Sequence, residues 1–146
     1  MINGIRFCGL IIFLITAPGC STSPHQKGVA VNDIHSGLNE TRVDCIVYPT
    51  STEEIQETIK NAKADGKAIS ITGGRHAMGG QQFGHGTILI DTSELNKVVN
   101  FDSEKGLIEV QAGIRWPELI DYLIKTQEGR EKQWGIIQKQ TGADRL

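Results

Sequence analysis

Residues 73–80 read Gly-Gly-Arg-His-Ala-Met-Gly-Gly, and this dense run of glycine follows directly on the short apolar stretch of residues 68–72. Such a stretch predicts a β-strand, and glycines at its end let the backbone turn through positive φ and bring its N–H groups close to a ligand. Successive backbone N–H groups of this kind bind phosphate. The sequence therefore predicts a strand followed by a phosphate-binding loop, with His76 near the centre of the loop.

Two common phosphate-binding fingerprints do not match this loop. The dinucleotide fingerprint places glycines at its first, third and sixth positions and continues into a helix, whereas this loop has no such triplet and precedes another apolar stretch. The nucleotide-binding loop that ends in Gly-Lys-Ser or Gly-Lys-Thr is absent as well. An ordinary glycine-rich connection between two strands stays open as the alternative.

The residues before the loop predict a βαβ unit. Residues 43–48 favour a strand and end at a proline. Ser51 and Glu54 form a capping box that starts a helix, and Gly66 ends that helix. Its apolar stripe consists of Ile55, Ile59 and Ala62. Because a helix joins the strand of residues 43–48 to that of residues 68–72, we expect these two strands to be parallel.

The residues after the loop predict short strands and a second helix. The strands are residues 87–91, 97–101 and 107–111, and the turn-forming residues between the last two predict an antiparallel hairpin. Pro117 suits the first turn of a helix. The buried face predicted for this helix is Leu119, Ile120, Leu123 and Ile124. The fold class is therefore α+β.

Three segments in this order resemble the FAD-binding domain of the vanillyl-alcohol oxidase and p-cresol methylhydroxylase (PCMH-type) family. They are the glycine loop, Ile90-Asp91-Thr92-Ser93-Glu94-Leu95-Asn96, and Val110-Gln111-Ala112-Gly113-Ile114-Arg115-Trp116-Pro117-Glu118-Leu119. The resemblance implies the first subdomain of that fold, a βαβ unit followed by short, mostly antiparallel strands and a helix. It also implies that the first loop wraps the FAD pyrophosphate, and that the strand and turn around Asp91 support this loop.

The cofactor-binding residues implied by the resemblance lie in two segments. They are Gly73, Gly74, Arg75, His76, Ala77, Met78, Gly79 and Gly80 of the loop, with Thr141 and Gly142 on the approach to a second glycine-rich segment. No catalytic residue is assigned, since the substrate domain of the family would lie beyond residue 146. We therefore expect this chain to be the truncated front part of a longer FAD-dependent enzyme.

Three roles for His76 are consistent with the sequence. In many members of the family a histidine at this point of the loop binds covalently to the 8α-methyl carbon of the flavin, which requires a neutral ring nitrogen as nucleophile. The commoner form of the motif has glycine before this histidine and serine or threonine after it, whereas this chain has Arg75 and Ala77. Covalent attachment, noncovalent contact with FAD and a structural role all stay open.

Each of four further residues has two alternative interpretations. Arg75 either offsets the diphosphate charge or is a solvated surface residue. His85 either faces the cofactor or is bonded to backbone. We interpret Trp116 as a packing residue rather than a flavin contact, and Asp91 as a brace for the turn at Ser93 rather than a proton-transfer group.

The N-terminal residues resemble an export signal. Residues 1–19 combine an early Arg6 with an apolar run that is too short to span a membrane. The small residue before Cys20 resembles a lipoprotein processing site, so lipid anchoring at Cys20, plain secretion and an uncleaved N-terminal anchor all stay open. We expect an exported, periplasmic or membrane-anchored protein, with a flexible linker over residues 20–41 and the FAD-binding domain over residues 42–146.

Charge and cysteine usage limit the classes of partner. The formal net charge is −2 and no basic stripe is present, which argues against nucleic-acid binding. Three cysteines do not predict a disulfide framework, and Cys45 is interpreted as a buried thiol. No set of histidines and cysteines has zinc-ligand spacing.

Two functions follow from the sequence. The first is an exported FAD-dependent oxidase or dehydrogenase that acts, when complete, on a CH–OH group of a small-molecule substrate such as a sugar, lactone, polyol or hydroxy acid. The second is a noncatalytic surface lipoprotein or pseudoenzyme fragment that keeps the fold. A phosphate-binding module without redox chemistry is a weaker third.

Overall fold

Seven strands and two helices form the part of the protein that its computed structural model describes, residues 28–137. In chain order they are β1 (Val29–Val31), β2 (Thr41–Val43), β3 (Cys45–Val47), α1 (Thr52–Ala64), β4 (Ile69–Thr72), β5 (Ile88–Asp91), a 3-10 turn (Thr92–Glu94), β6 (Val98–Asp102), β7 (Leu107–Val110) and α2 (Trp116–Thr126). The predicted signal peptide, Cys20, Thr141 and Gly142 lie outside the described residues.

A parallel sheet of three strands positions the glycine loop. The strand order is β3-β5-β4, and both outer strands run parallel to β5. All four residues of β5 are buried, and its Leu89 is fully so. The predicted parallel relation between β3 and β4 is therefore confirmed, although β5, which comes later in the chain, lies between them. All three strands point the same way, so their carboxyl ends meet at one edge of the sheet.

Helix α1 begins and ends where the sequence predicts. The Ser51 side chain accepts a hydrogen bond from the backbone N–H of Glu54, which satisfies one free donor of the first turn. At the other end, Gly66 has a φ of 63° and its N–H bonds the carbonyl of Lys63. Ala62 is buried, whereas Ile59 stays 47% exposed, so the predicted apolar stripe is only partly covered.

The segment expected to be a flexible linker contains a strand. β1 pairs antiparallel with β2, with Val29 opposite Val43 and Val31 opposite Thr41. Val31, Val43 and Leu89 form a buried apolar cluster. The prediction that order begins near Arg42 is therefore wrong for residues 28–41. A strand of three residues between polar segments was too short to show a periodic pattern.

Strands β6 and β7 form the predicted antiparallel hairpin, with a bulge between Val98 and Asn100. Helix α2 follows, with Pro117 in its first turn. Of its predicted buried face, Leu119 and Leu123 are buried, but Ile120 and Ile124 are 43% and 63% exposed. The prediction is thus wrong for the two isoleucines, because the described residues cover a narrower stripe of this helix.

Two further findings concern the state of Cys45 and the length of the helices. Cys45 is half-buried and disulfide-bonded, so its interpretation as a buried thiol is wrong. Between residues 28 and 137, no helix has the length and apolar character that a membrane crossing requires.

Gly113 packs the segment after β7 against the 3-10 turn that follows β5. Its N–H donates to the carbonyl of Leu95 at 2.8 Å. A Cβ atom at this position would lie 1.8 Å from the backbone carbonyl oxygen of Thr92, so the backbone has to approach without a side chain between.

Gly113→Ala is therefore expected to destabilise the protein by about 1–3 kcal/mol or more, the usual cost of forcing an extra methyl group into packed structure. Gly135→Ala is the matched control, because nothing lies within 4 Å of the Cβ that it would add. Urea unfolding of both variants measures the difference. Equal stability of the two would contradict the close packing of Gly113 on Thr92.

Candidate functional site

The glycine loop leaves the parallel sheet at its carboxyl edge. It begins at Gly73, directly after the last residue of β4, and Thr72 pairs with Asp91 at the end of β5. In open sheets of parallel strands, ligands bind outside the carboxyl ends of the strands. The loop therefore occupies the part of this sheet at which a ligand site is expected.

The backbone of the loop has unused hydrogen-bond donors. From Gly74 to Gly79, no backbone N–H donates to another group of the described chain. The next N–H, that of Gly80, bonds the carbonyl of Ala77 at 3.2 Å and closes the turn. A row of N–H groups without partners inside the protein fits an anionic ligand such as a diphosphate.

Glycine is required at two places in the loop for different reasons. Gly80 has a φ of 70°, which favours glycine, and the space beside it is filled by Asn39, 3.0 Å from where a Cβ would stand. A Cβ at Gly74 would lie 2.6 Å from Cδ2 and 2.9 Å from Nε2 of the His76 ring. The missing side chain at Gly74 thus lets the imidazole of His76 lie over the loop backbone.

Arg75 ties the loop to the central strand. It is the one non-glycine residue of the described chain with a positive φ, 56°. Its Nη2 donates to Oδ2 of Asp91 at 2.9 Å, and the Asp91 side chain is 5% exposed. The other oxygen of Asp91 accepts from the backbone N–H of Ser93 at 3.1 Å. The predicted brace at Ser93 is confirmed, and Arg75 is a partner of Asp91 rather than a freely solvated side chain.

A turn that the sequence did not predict packs against the loop. It comprises residues 32–39, between β1 and β2, and we call it the β1–β2 turn. The N–H of Ile34 donates to the carbonyl of Arg75 at 3.1 Å, and Nδ2 of Asn39 donates to the carbonyl of Met78 at 2.6 Å. Two loop carbonyls therefore have their hydrogen-bond donors in the β1–β2 turn.

Asp33 organises the β1–β2 turn. This buried carboxylate accepts hydrogen bonds from the backbone N–H groups of His35 and Ser36 and from the side chains of Ser36 and Asn39. The bonds from Asn39 and Ser36 lower the pKa of Asp33 well below its usual range. Because the folded-state pKa is the depressed one, the ionised group stabilises the turn at any pH above the ordinary aspartate pKa of about 3.9. That contribution is lost only as the pH falls through the lower folded value.

The β1–β2 turn also brings a second histidine to His76. Nε2 of His35 lies 2.7 Å from Nδ1 of His76, and the two ring centroids are 4.8 Å apart. Both residues are exposed. His35 was placed in the linker by its position in the sequence, and no local pattern signals its contact with residue 76, which is 41 positions away.

The structure brings together only part of the predicted site. The eight loop residues lie in one connected segment, in which Met78 is 63% exposed. Outside the loop, His85 is exposed in the segment that leads to β5, and Trp116 is half-buried at the start of α2. Thr141 and Gly142 lie outside the described residues. Over residues 28–137, no three histidine, cysteine, aspartate or glutamate side chains lie where they could hold a metal ion together.

A comparison with protein families matches residues 43–131 to a family described as "FAD binding domain". The match covers more than half of the chain. The chain belongs to this FAD-binding domain family. Its α+β architecture and the expected PCMH-type resemblance are thereby confirmed. The glycine loop, whose backbone N–H groups from Gly74 to Gly79 lack partners in the described chain, agrees with this membership.

Two curated relatives match part of this chain in sequence. L-Gulonolactone oxidase of Bos taurus is 32% identical over 77 residues, which are 53% of this chain and 17% of the relative. The mitochondrial D-lactate dehydrogenase [cytochrome] 1 of Saccharomyces cerevisiae is 33% identical over 94 residues, 61% of this chain and 16% of the relative. The matched segments thus span about a sixth of each of these enzymes.

Solved structures show the same fold. An alkyldihydroxyacetonephosphate synthase matches with a TM-score of 0.56 and 30% identity over 62% of this chain and 17% of that protein. Aclacinomycin oxidoreductase matches with a TM-score of 0.51 over 62% of this chain and 18% of that protein, at 24% identity, which supports the fold alone.

Removing the Arg75–Asp91 contact is expected to destabilise the FAD-binding domain. Arg75→Ala leaves a buried carboxylate without its charged donor, so the free energy of unfolding should fall by roughly 1.5–3 kcal/mol, the range for hydrogen bonds to charged groups. Arg42→Ala, at an exposed position of β2, is the charge-matched control.

A double-mutant cycle with Asp91→Ala separates this contact from other effects. The two losses should be markedly less than additive, because either substitution removes the same ion pair. Full additivity in denaturant unfolding would show that the contact contributes nothing.

Proposed function

We propose that residues 73–80 hold the diphosphate of FAD. The observation that carries this proposal is the run of backbone N–H groups from Gly74 to Gly79 without partners in the described chain, at the carboxyl edge of the parallel sheet. Each N–H offers a fixed partial positive charge to the phosphate oxygens. The β1–β2 turn supports this use, since it binds the carbonyls of Arg75 and Met78.

Arg75 contributes positive charge to the same place. A guanidinium has five N–H donors in a fixed fork, and the contact with Asp91 involves Nη2. The other donors serve the diphosphate while the ion pair keeps the side chain oriented. In this proposal Gly79 and Gly80 let the chain turn closely around the ligand, and Thr141 and Gly142 approach it from a second segment.

We further propose that FAD is covalently bound through His76. A ring nitrogen of His76 would replace one hydrogen of the flavin 8α-methyl group; overall, that hydrogen and the imidazole N–H hydrogen reduce dioxygen to hydrogen peroxide. The exposed ring over Gly74 supports this assignment, because it lies on the loop surface with Nε2 making no hydrogen bond to the described chain. FAD supplies hydride-accepting chemistry when bound.

The complete protein, in our proposal, is an FAD-dependent oxidoreductase that acts on a CH–OH group. Support comes from the two curated relatives, whose names specify a lactone oxidase and a dehydrogenase of a hydroxy acid. The substrate class we propose is a sugar, lactone, polyol or hydroxy acid. Export is proposed from the N-terminal sequence pattern alone.

His76→Ala is expected to abolish covalent attachment. The test expresses the protein from its natural reading frame, precipitates it with acid and inspects a denaturing gel for flavin fluorescence. Wild type should fluoresce and His76→Ala should be dark. His85→Ala, a matched change at another exposed histidine of the same region, should stay fluorescent.

Three other outcomes have distinct meanings. FAD released into the supernatant by wild type would refute the covalent bond and retain the FAD site. Fluorescence of the His76→Ala band would place the attachment elsewhere. No flavin in either fraction would refute the proposed site and favour the noncatalytic alternative.

A further inference from the structure

A glutamine in the segment between the glycine loop and β5 links the loop to the parallel sheet. Gln82, which is half-buried, donates from Nε2 to the carbonyl of Ala77 at 3.2 Å. Its Oε1 accepts from Oγ1 of Thr72 at 3.3 Å. Thr72 is the last residue of β4 and is buried. The side chain of Gln82 therefore connects the end of a sheet strand to a backbone carbonyl in the middle of the loop.

The two neighbours of the Gln82 amide fix its orientation. A backbone carbonyl can only accept a hydrogen bond, so the amide group that faces Ala77 is the NH2 group. The amide oxygen then faces the Thr72 hydroxyl, which has a proton to donate. The reversed amide would place two acceptors against each other at Ala77. Both bonds are therefore made together, by one orientation of the side chain.

The bond to the carbonyl of Ala77 also sets the direction of the next N–H group. The peptide between Ala77 and Met78 is trans, and in a planar trans peptide the C=O and N–H bonds point to opposite sides. Because the carbonyl of Ala77 is directed to Gln82, the N–H of Met78 is directed away from it. That N–H donates to no group of the described chain.

A second donor to the same carbonyl cannot replace Gln82. The N–H of Gly80 also bonds the carbonyl of Ala77, at 3.2 Å, but this bond closes a turn within the loop. Its donor and its acceptor move together when the loop moves. Gln82 is instead held by Thr72 of β4, so its bond orients the peptide between Ala77 and Met78 relative to the sheet.

We propose that Gln82 is a positioning residue for the diphosphate of FAD. Through the carbonyl of Ala77 it directs the N–H of Met78 to a phosphate oxygen, and it does not itself contact the ligand. This inference rests on the proposed function of the loop and goes beyond it, because it names one donor and the side chain that directs this donor. A neutral amide suits the role, since it supplies an N–H to the carbonyl without adding a charge beside the bound anion.

Two substitutions break the link at different places. Gln82→Met keeps the length of the side chain but has no N–H donor for Ala77. Thr72→Val keeps a β-branched side chain at the buried end of β4 but removes the hydroxyl that holds Gln82. Gln81→Met is the matched control, because Gln81 is exposed and takes part in neither bond.

The first readout is the backbone amide signal of Met78. Two methionines occur among the 146 residues, so isotopic labelling of methionine nitrogen gives a simple spectrum, in which Met78→Leu identifies the signal. FAD added to apo-protein should shift this signal in wild type and in Gln81→Met. The shift should fall to less than half in Gln82→Met and in Thr72→Val, because the N–H no longer keeps its direction.

The second readout is the dissociation constant of FAD, measured by rapid mixing with apo-protein before a covalent bond can form. It should rise by about tenfold or more in Gln82→Met, the factor expected when one hydrogen bond to a charged group is lost. It should stay unchanged in Gln81→Met. The affinity for riboflavin, which has no diphosphate, should be the same in wild type and in both variants.

Three results would overturn the inference. The first is a wild-type response of Met78 to FAD in Gln82→Met, and the second is unchanged FAD affinity in that variant. The third is an equal loss of affinity for FAD and for riboflavin, which would show that Gln82 only supports the fold. If Gln82→Met does not fold, Thr72→Val decides by the same criteria.

Failure of this inference can be separated from failure of the proposed diphosphate site. If the Met78 signal of wild type ignores FAD, isotopic labelling of glycine nitrogen distinguishes the two. Signals of Gly74 and Gly79 that respond to FAD would refute the role of Gln82 alone. Signals of these glycines that also ignore FAD would refute the diphosphate site, and the role of Gln82 with it.

Discussion

The ion pair between Arg75 and Asp91 is the contact on which the geometry of the loop depends. Arg75 has left-handed backbone, which is unfavourable for a residue with a side chain, and Asp91 is a carboxylate at the buried end of the central strand. Each would be costly alone: the backbone conformation needs a tether, and the carboxylate needs a cation. Together they fix the loop at one point over the carboxyl edge of the sheet.

The β1–β2 turn fixes the loop at its other points. Asp33 gathers the N–H and side-chain donors of the turn, and the turn then bonds the loop carbonyls of Arg75 and Met78. The backbone N–H groups from Gly74 to Gly79 have no partner within the described chain, which supports the proposed binding of a diphosphate. A preformed arrangement of this kind lowers the entropy that binding a diphosphate would otherwise cost.

Much of the fold could be predicted from the sequence because its signals are local. The N-cap of α1 at Ser51, the stop at Gly66 and the hairpin turn before β7 are each read from a few adjacent residues. The glycine loop was located in the same way.

The parts of the fold and of the site that were not predicted depend on contacts between residues that are distant in the sequence. The insertion of β5 between β3 and β4, the pairing of β1 with β2 and the meeting of His35 with His76 join residues whose separation leaves no periodic pattern. The interpretation of Arg75 was incomplete for the same reason, since its partner Asp91 is 16 positions away.

The central claim is that the loop from Gly74 to Gly79 binds the diphosphate of FAD through its backbone N–H groups. The most direct test compares the amide chemical shifts of apo-protein after addition of FAD and after addition of riboflavin, which carries the same ring system without the diphosphate. The account predicts that FAD shifts the amide signals of these loop residues and that riboflavin leaves them nearly unchanged. Loop amides that ignore FAD, or that respond equally to both ligands, would contradict it.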